Sequence, residues 1–264
     1  MSAGNGGWEL PISEGELTRL TRELDEAHRE HLPLMHAAAA DLTEEVRASR
    51  RRFLLGAGGV AAAMALAACS SSGGSTSSAG GNPSTGGSSA AAGTSSMYTG
   101  DLQVVALATA LENQAVGAYG AALAAAKAGK LGTVPPAVAT FVTTAMAQHT
   151  DHARAWNAVL TGAGKPAITN VPLSNQPATL QALATVTDVG GAAKLALMLE
   201  NQAAQTYLFA TYNVTSPAGI ATAASIAPVE AMHAAILNFV LGQYPVPDDF
   251  LPVDKAASPT LLTV

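Results

Sequence analysis

The chain predicts an all-α fold, a four-helix bundle made of two similar helix pairs with an extended C-terminal tail. Three observations lead there. Alanine is abundant while aromatics make up only 5% of the residues, which favours helices with close axes and thin cores. Proline and glycine stand where helices should open and close, and no segment gives a convincing strand signal. The pentapeptide Leu-Glu-Asn-Gln-Ala occurs twice, at 111–115 and 199–203, and seven residues after each Glu comes a tyrosine, Tyr119 and Tyr207.

The elements follow in order. Residues 101–128 read as the first helix, stopped by Gly129 and Gly132. A second runs over 136–161, opened by Pro135-Pro136 and closed at Gly162, the expected asymmetry of Pro at a helix start and Gly past its end. A loop rich in Gly, Pro and Asn fills 162–177, and a short helix follows at 178–187. The third long helix spans 191–212. The fourth starts near Ser216-Pro217 and ends at Gly242, with Pro228 inside its apolar pattern, where it should kink the helix or remove a hydrogen bond. The tail carries Pro245, Pro247, Pro252 and Pro259 and should lie extended on the surface. The two halves align beyond the pentapeptide: His152 falls on His233, Asn157 on Asn238 and Leu160 on Leu241.

Upstream the composition changes. Residues 1–48 are polar and acidic, with ten Asp/Glu against four Arg, and Leu17, Leu20 and Leu24 mark a short amphipathic helix. This extension either stays in the cytoplasm or precedes the true start, for which Met35 is a candidate. Residues 49–69 place Arg50, Arg51 and Arg52 before Phe53-Leu54-Leu55 and a weakly apolar Ala/Gly run, the size of a signal core and short for a membrane span. Ser49–Leu55 resembles the twin-arginine export motif, with Leu where Lys usually closes it. Leu66-Ala67-Ala68-Cys69 resembles a bacterial lipobox. That resemblance implies cleavage before Cys69, lipidation of it, and partners in the twin-arginine machinery and the membrane. An uncleaved membrane anchor is the alternative, and the position of the chain's one cysteine argues against it. Residues 70–96 are Ser, Gly, Thr and Ala almost throughout, a flexible tether of about 30 Å. Residues 97–264 are then the folded domain, lipid-anchored on the outer face of the cytoplasmic membrane, and long enough for a proper core.

Composition also excludes. A formal charge of −6 with 12% charged residues is far from the basic signature of nucleic-acid binding. No Gly-rich phosphate loop, thiol nucleophile beyond the lipidated Cys69, or Ser-His-Asp set presents itself. Protein partners are not legible.

Residues 97–264 contain three Glu (Glu112, Glu200, Glu230) and three His (His149, His152, His233), all within the four long helices. His149-x-x-His152 and Glu230-x-x-His233 have the i, i+3 spacing that puts both members on one helix face. Buried carboxylates are costly unless paired or bound to a cation, and the six Lys and Arg of this segment sit mostly near helix ends or in loops. That leaves a metal, or mutual Glu–His hydrogen bonds, to offset the charge. Tyr119 and Tyr207, two turns from their Glu, read as packing residues whose hydroxyls find a partner. Asn113, Asn201, Gln114 and Gln202 read either as hydrogen bonders behind the six residues or as remnants of duplication. Gln148 lies about 100° round its helix from His149.

The order Glu112; His149-x-x-His152; Glu200; Glu230-x-x-His233 resembles the ferritin-like superfamily, above all its exported bacterial members. There two helices each give a Glu and the other two each give Glu-x-x-His, all facing the bundle core. The resemblance implies di-iron or di-manganese centres with ferroxidase, oxidase, peroxidase or catalase chemistry. It makes Glu112, Glu200 and Glu230 bridging or chelating ligands and His149, His152 and His233 terminal ones, around one or two divalent ions. Iron comes first, with Mn, Zn or Cu as alternatives. His149 departs from the pattern, which has Glu there. One carboxylate fewer makes the site one charge less negative, and imidazole suits Zn, Cu and Fe(II) better than Mn. Catalytic residues are not assigned. A metal carrier without catalysis and a metal-free scaffold of the cell envelope stand beside the metal-dependent oxidoreductase.

Overall fold

The computed structural model describes residues 10–67 and 97–264, of which residues 50 and 52–67 as backbone only. The described residues are helical, joined by short loops: α1 Glu14–Ala67, α2 Asp101–Lys127, α3 Pro136–Gly162, α4 Gln176–Ala184, α5 Val189–Asn213 and α6 Pro217–Val240, with a 3-10 turn at Pro259–Leu261. The four long helices expected from the sequence are present within a few residues of their expected ends.

Local chemistry sets those ends. Pro136 and Pro217 open α3 and α6 at their first turns. Asp188 and Ser216 cap α5 and α6 by accepting from the N–H groups of Gly191 and Gly219, at 2.7 and 3.0 Å. Helices α2, α3 and α6 close alike, on Gly129, Gly164 and Gly242 at φ near +70°, where a side chain would be strained. The next N–H in each case reaches five residues back, Lys130 to Ala125, Lys165 to Leu160 and Gln243 to Asn238. Gly162, expected to stop α3, is its last residue instead. A Cβ there would stand 2.2 Å from Thr43 Cγ2, so this glycine permits close packing of α1. Helix α6 continues through Pro228, whose missing N–H leaves the Ala224 carbonyl without its helical donor. It is long and apolar enough to cross a membrane, yet half of its apolar stretch is buried against other helices.

The largest departure from the sequence reading is α1. Instead of a short helix near residues 17–24, it runs without interruption from Glu14 to Ala67. It packs against both α3 and α6, which meet each other through side chains in the interior; α2 packs on α3, α5 on α6, and α2 on α5. Its buried positions are Leu17, Thr21, Leu24, His28, Met35, Ala39 and Leu42, the alternating three- and four-residue spacing of a helix seam. Each fully buried leucine there contributes about 2 kcal/mol of apolar burial. Residues 10–48 are therefore part of the packed structure. The twin-arginine residues Arg50, Arg51 and Arg52 fall on the same helix, with Arg51 exposed. Cys69 and the tether 70–96 lie outside the described residues.

The tail is fastened by its backbone. Lys255 N–H donates to Gln205 Oε1 at 2.7 Å, Ala257 N–H to Thr206 Oγ1 at 2.8 Å, and Thr263 N–H to the Pro172 carbonyl at 3.0 Å.

Candidate metal centre

Glu112 sits in mid-α2 and Glu200 in mid-α5; α3 brings His149 and His152 on one face, and α6 brings Glu230 and His233. All six side chains are buried, none more than 1% exposed, and they converge. His149 Nδ1 is 2.7 Å from Glu112 Oε2, and its Nε2 is 3.0 Å from Glu200 Oε1. Glu230 reaches the other two rings: Oε1 is 2.9 Å from His152 Nδ1, and Oε2 is 3.3 Å from His233 Nδ1. His233 Nδ1 is also 3.3 Å from Glu200 Oε2. Ligand atoms gather in two groups of four, within 4.8 Å of one another in each: Glu112, His149, His152, Glu230 and His149, Glu200, Glu230, His233. Glu230 and His149 belong to both.

The tyrosines close the arrangement crosswise. Tyr119 of α2 donates its hydroxyl to Glu200 of α5, and Tyr207 of α5 donates to Glu112 of α2. Because α2 and α5 run antiparallel, a tyrosine seven residues past each Glu meets the carboxylate of the other half. Trp156 Nε1 donates to the Tyr207 hydroxyl at 2.9 Å, a link that packing logic did not foresee. Gln148 also takes part. Its Oε1 is 2.8 Å from His233 Nε2 across the interior, so its 100° offset from His149 aims it at the neighbouring helix. Asn113 and Gln114 face elsewhere: they hold the carbonyls of Ile168 and Asn170 and the side chains of Gln176 and Thr179, fastening the crossover loop and α4.

The sequence reading also missed His28 of α1. It is buried, its ring centroid is 5.3 Å from that of His152, and its Nε2 has no hydrogen-bond partner. The signal was its place in the three/four spacing of α1, where a buried imidazole is otherwise unexplained.

Electrostatics follow from burial without neighbouring Lys or Arg. Burial pushes the Glu112 pKa up, but His152 and His149 outweigh it and hold the group at about 2. Glu200 is likewise held well below the usual carboxylate range by His149 and His233, against the effect of burial. Burial works in the opposite direction on the rings, and the carboxylates outweigh it again. His152 is lifted to about 9 by Glu112 and Glu230, and His149 and His233 are raised as well. Without metal, the charged forms of Glu112 and Glu200 and the protonated forms of the three rings thus stabilise one another.

Hydrogen bonds leave part of the centre unsatisfied. Both ring nitrogens of His152 and Oε1 of Glu230 lack a partner. His152 Nδ1 and Glu230 Oε1 approach within 2.9 Å but not in the direction of a hydrogen bond. Ring nitrogens and carboxylate oxygens that converge without bonding one another offer their lone pairs to a shared cation once the rings give up their protons, so the donor set fits a metal.

Beside the centre, Tyr119 and Phe141 form a wall. Tyr119 stacks on His149 with centroids 5.7 Å apart, and Phe141 sets its edge against His233 at 6.2 Å. Beyond them lies a cavity of about 100 Å³, lined by apolar residues such as Ala118, Ala122, Ala193 and Leu237. The alanines cause it, because side chains this small cannot fill the space between four helices.

A family model described as a ferritin-like domain matches residues 100–243. The chain belongs to this family. The match spans α2 to α6 and every residue of the centre, and leaves α1 outside. Searches of curated proteins and of solved structures give no match.

Proposed function

We propose that the Glu/His centre binds two divalent metal ions, iron first among them, in a four-helix bundle of two similar halves. The observation that carries this reading is the pair of four-ligand groups sharing Glu230 and His149, with His152 and Glu230 atoms left without hydrogen-bond partners. One position would be held by Glu112 and His152, the other by Glu200 and His233, with Glu230 and His149 between them. Iron there would supply one-electron exchange between its ferrous and ferric states. The protein's own contribution is orientation and exclusion of water: Tyr119 and Tyr207 fix the two carboxylates, Gln148 fixes His233, and Tyr119 and Phe141 wall off solvent. The apolar cavity behind that wall suits dioxygen, the oxidant that oxidase- or ferroxidase-type chemistry calls for. His149, in place of a carboxylate, leaves the centre one negative charge short and widens the choice to Zn and Cu over Mn. A non-catalytic metal carrier needs the same ligands without the oxidant.

We extend the proposal to place. Arg50–Arg52 and the Leu-Ala-Ala-Cys sequence ending at Cys69 support export by the twin-arginine route and lipid anchoring at the outer face of the membrane.

A second reading has its own observation. The pairing of three raised imidazoles with three carboxylates gives a cluster able to persist without metal, as a rigid scaffold. Thermal unfolding of the full chain with and without a chelator separates the two. Bound metal contributes to folding free energy, so the metal reading expects Tm to fall on chelation and recover with Fe(II). Equal melting curves in all conditions would leave the scaffold.

A further inference from the structure

Helix α1 lies along α3 and α6 from Glu14 to Arg47 and passes over the centre at His28. It runs parallel to α3 and antiparallel to α6. Glu14 accepts from the Ala137 N–H at the start of α3, and Arg47 donates to the Gly162 carbonyl at its end, at 3.3 and 3.0 Å. Glu45 accepts from the Ser216 hydroxyl, the N-cap of α6, while Pro11 lies beside Gly242 past the end of α6. Midway, Gln148 reaches Asp25 at 3.5 Å and His28 packs on His152.

The same helix continues into Arg50–Arg52 and the apolar run behind them. Three successive arginines ahead of an apolar leader hold the preceding residues on the cytoplasmic side. If residues 97–264 cross the membrane, residues 10–49 do not follow, and one helix cannot fill a groove on the far side. Docking and export must then be successive states. We infer that the groove between α3 and α6 holds the chain's own helix, residues 14–49, until export and loses it on export, which uncovers the metal centre at His152. The inference rests on the export reading proposed above. In the cytoplasm the acidic N-terminal segment completes the fold and seals the Glu/His cluster, with His28 as the residue seated on the centre. The face it leaves becomes the reactant's way in.

The test uses the full chain in an export-competent cell. Glu45→Cys and Ser216→Cys place two thiols where side chains already touch, remote from the six ligands. Dibromobimane, which fluoresces when it bridges two close thiols, reads whether they meet; each single variant controls for Cys69. Arg50→Lys with Arg51→Lys retains the unexported form for comparison. The inference expects bridging in the retained precursor and loss of it in the exported fraction. It also expects Zn(II) to be stripped from the exported form by chelator several-fold faster than from the precursor. Bridging in exported protein, or none in the precursor, overturns it. Bridged protein with no exported pool overturns both it and the export reading, leaving the metal reading intact. Absence of Zn(II) from both forms counts against the metal reading, while bridging still decides whether the helix is shed.

Discussion

The helix pairs α2–α3 and α5–α6 supply the same kinds of group from the same places, and they differ most at one pair of equivalent positions. Residue 149 is His where residue 230 is Glu. In the folded chain those two occupy complementary positions: the His149 ring touches the carboxylates of both halves, Glu112 and Glu200, while the Glu230 carboxylate touches the imidazoles of both halves, His152 and His233. The likeness of the two helix pairs accounts for the convergence of six Glu and His side chains. This departure from symmetry helps explain why the cluster is tolerable without metal, since a carboxylate at 149 would face Glu112 and Glu200 and leave two imidazoles to balance four carboxylates. The halves also differ at 156 and 237, where Trp156 supports Tyr207 and Leu237 offers Tyr119 no such donor.

Restoring the symmetry should have the largest effect. His149→Glu is expected to destabilise the metal-free protein by about 3–5 kcal/mol, the scale of an uncompensated buried charge. At about 2–4 °C per kcal/mol, that is a fall of roughly 6–20 °C in Tm, recovered by Fe(II) or Mn(II). Calorimetry with and without metal checks both parts. A variant as stable as the wild type without metal would show that His149 does not balance the carboxylates.

The pH dependence of the metal-free protein sharpens the same comparison. His152 is raised from 6.5 to about 9, so its contribution is complete below 6.5 and lost as pH rises through 9. Glu112 is lowered from 4.5 to about 2, so its contribution is complete above 4.5 and lost as pH falls through 2. Urea midpoints should therefore peak between about pH 4.5 and 6.5 without metal. With metal the alkaline limb should rise instead, because ions displace protons from the three rings. Identical profiles with and without metal would contradict ligation by the rings.

Smaller effects separate the tyrosines. Tyr207→Phe removes the donor to Glu112 and the acceptor of Trp156, whereas Tyr119→Phe removes only the donor to Glu200. Both should cost about 1–3 kcal/mol in urea unfolding, with Tyr207→Phe the larger. The smallest change is at the surface. Arg154 forms an exposed ion pair with Asp151 at 3.2 Å, and its equivalent in the second half is Ala235. Arg154→Ala should shift stability by less than about 0.5 kcal/mol.

Much of this is legible in the sequence, for definable reasons. Pro136, Pro217, Gly129 and Gly242 act locally, so the helix ends can be read from them. The six residues stand out because residues 97–264 hold no other Glu or His, and the repeated pattern indicates which faces should meet. What depends on the partner helix is hidden. The tyrosine crossover needs the antiparallel setting of α2 and α5. Gln148 looks misplaced on its own helix, while its partner His233 lies on another. The seam of α1 resembles a short helix because beyond Leu24 it is carried by His28, Met35, Ala39 and Leu42, with no fully buried leucine between Leu24 and Leu42 and Pro33 inside the segment. Gly162 reads as a stop because glycine usually is one, when its role is to admit Thr43.

The central claim is that both halves ligate a shared pair of ions, and metal stoichiometry tests it most directly. The full chain, Glu200→Ala and Glu230→Ala would each be incubated with Fe(II), Mn(II), Zn(II) and Cu(II), desalted, and analysed by mass spectrometry for metal per chain. The account predicts two ions in the wild type, a fall to one in Glu200→Ala, and loss of both in Glu230→Ala, whose carboxylate serves both positions. No retained metal in any of the three, with equal melting temperatures with and without metal, would contradict it and leave a metal-free helical scaffold.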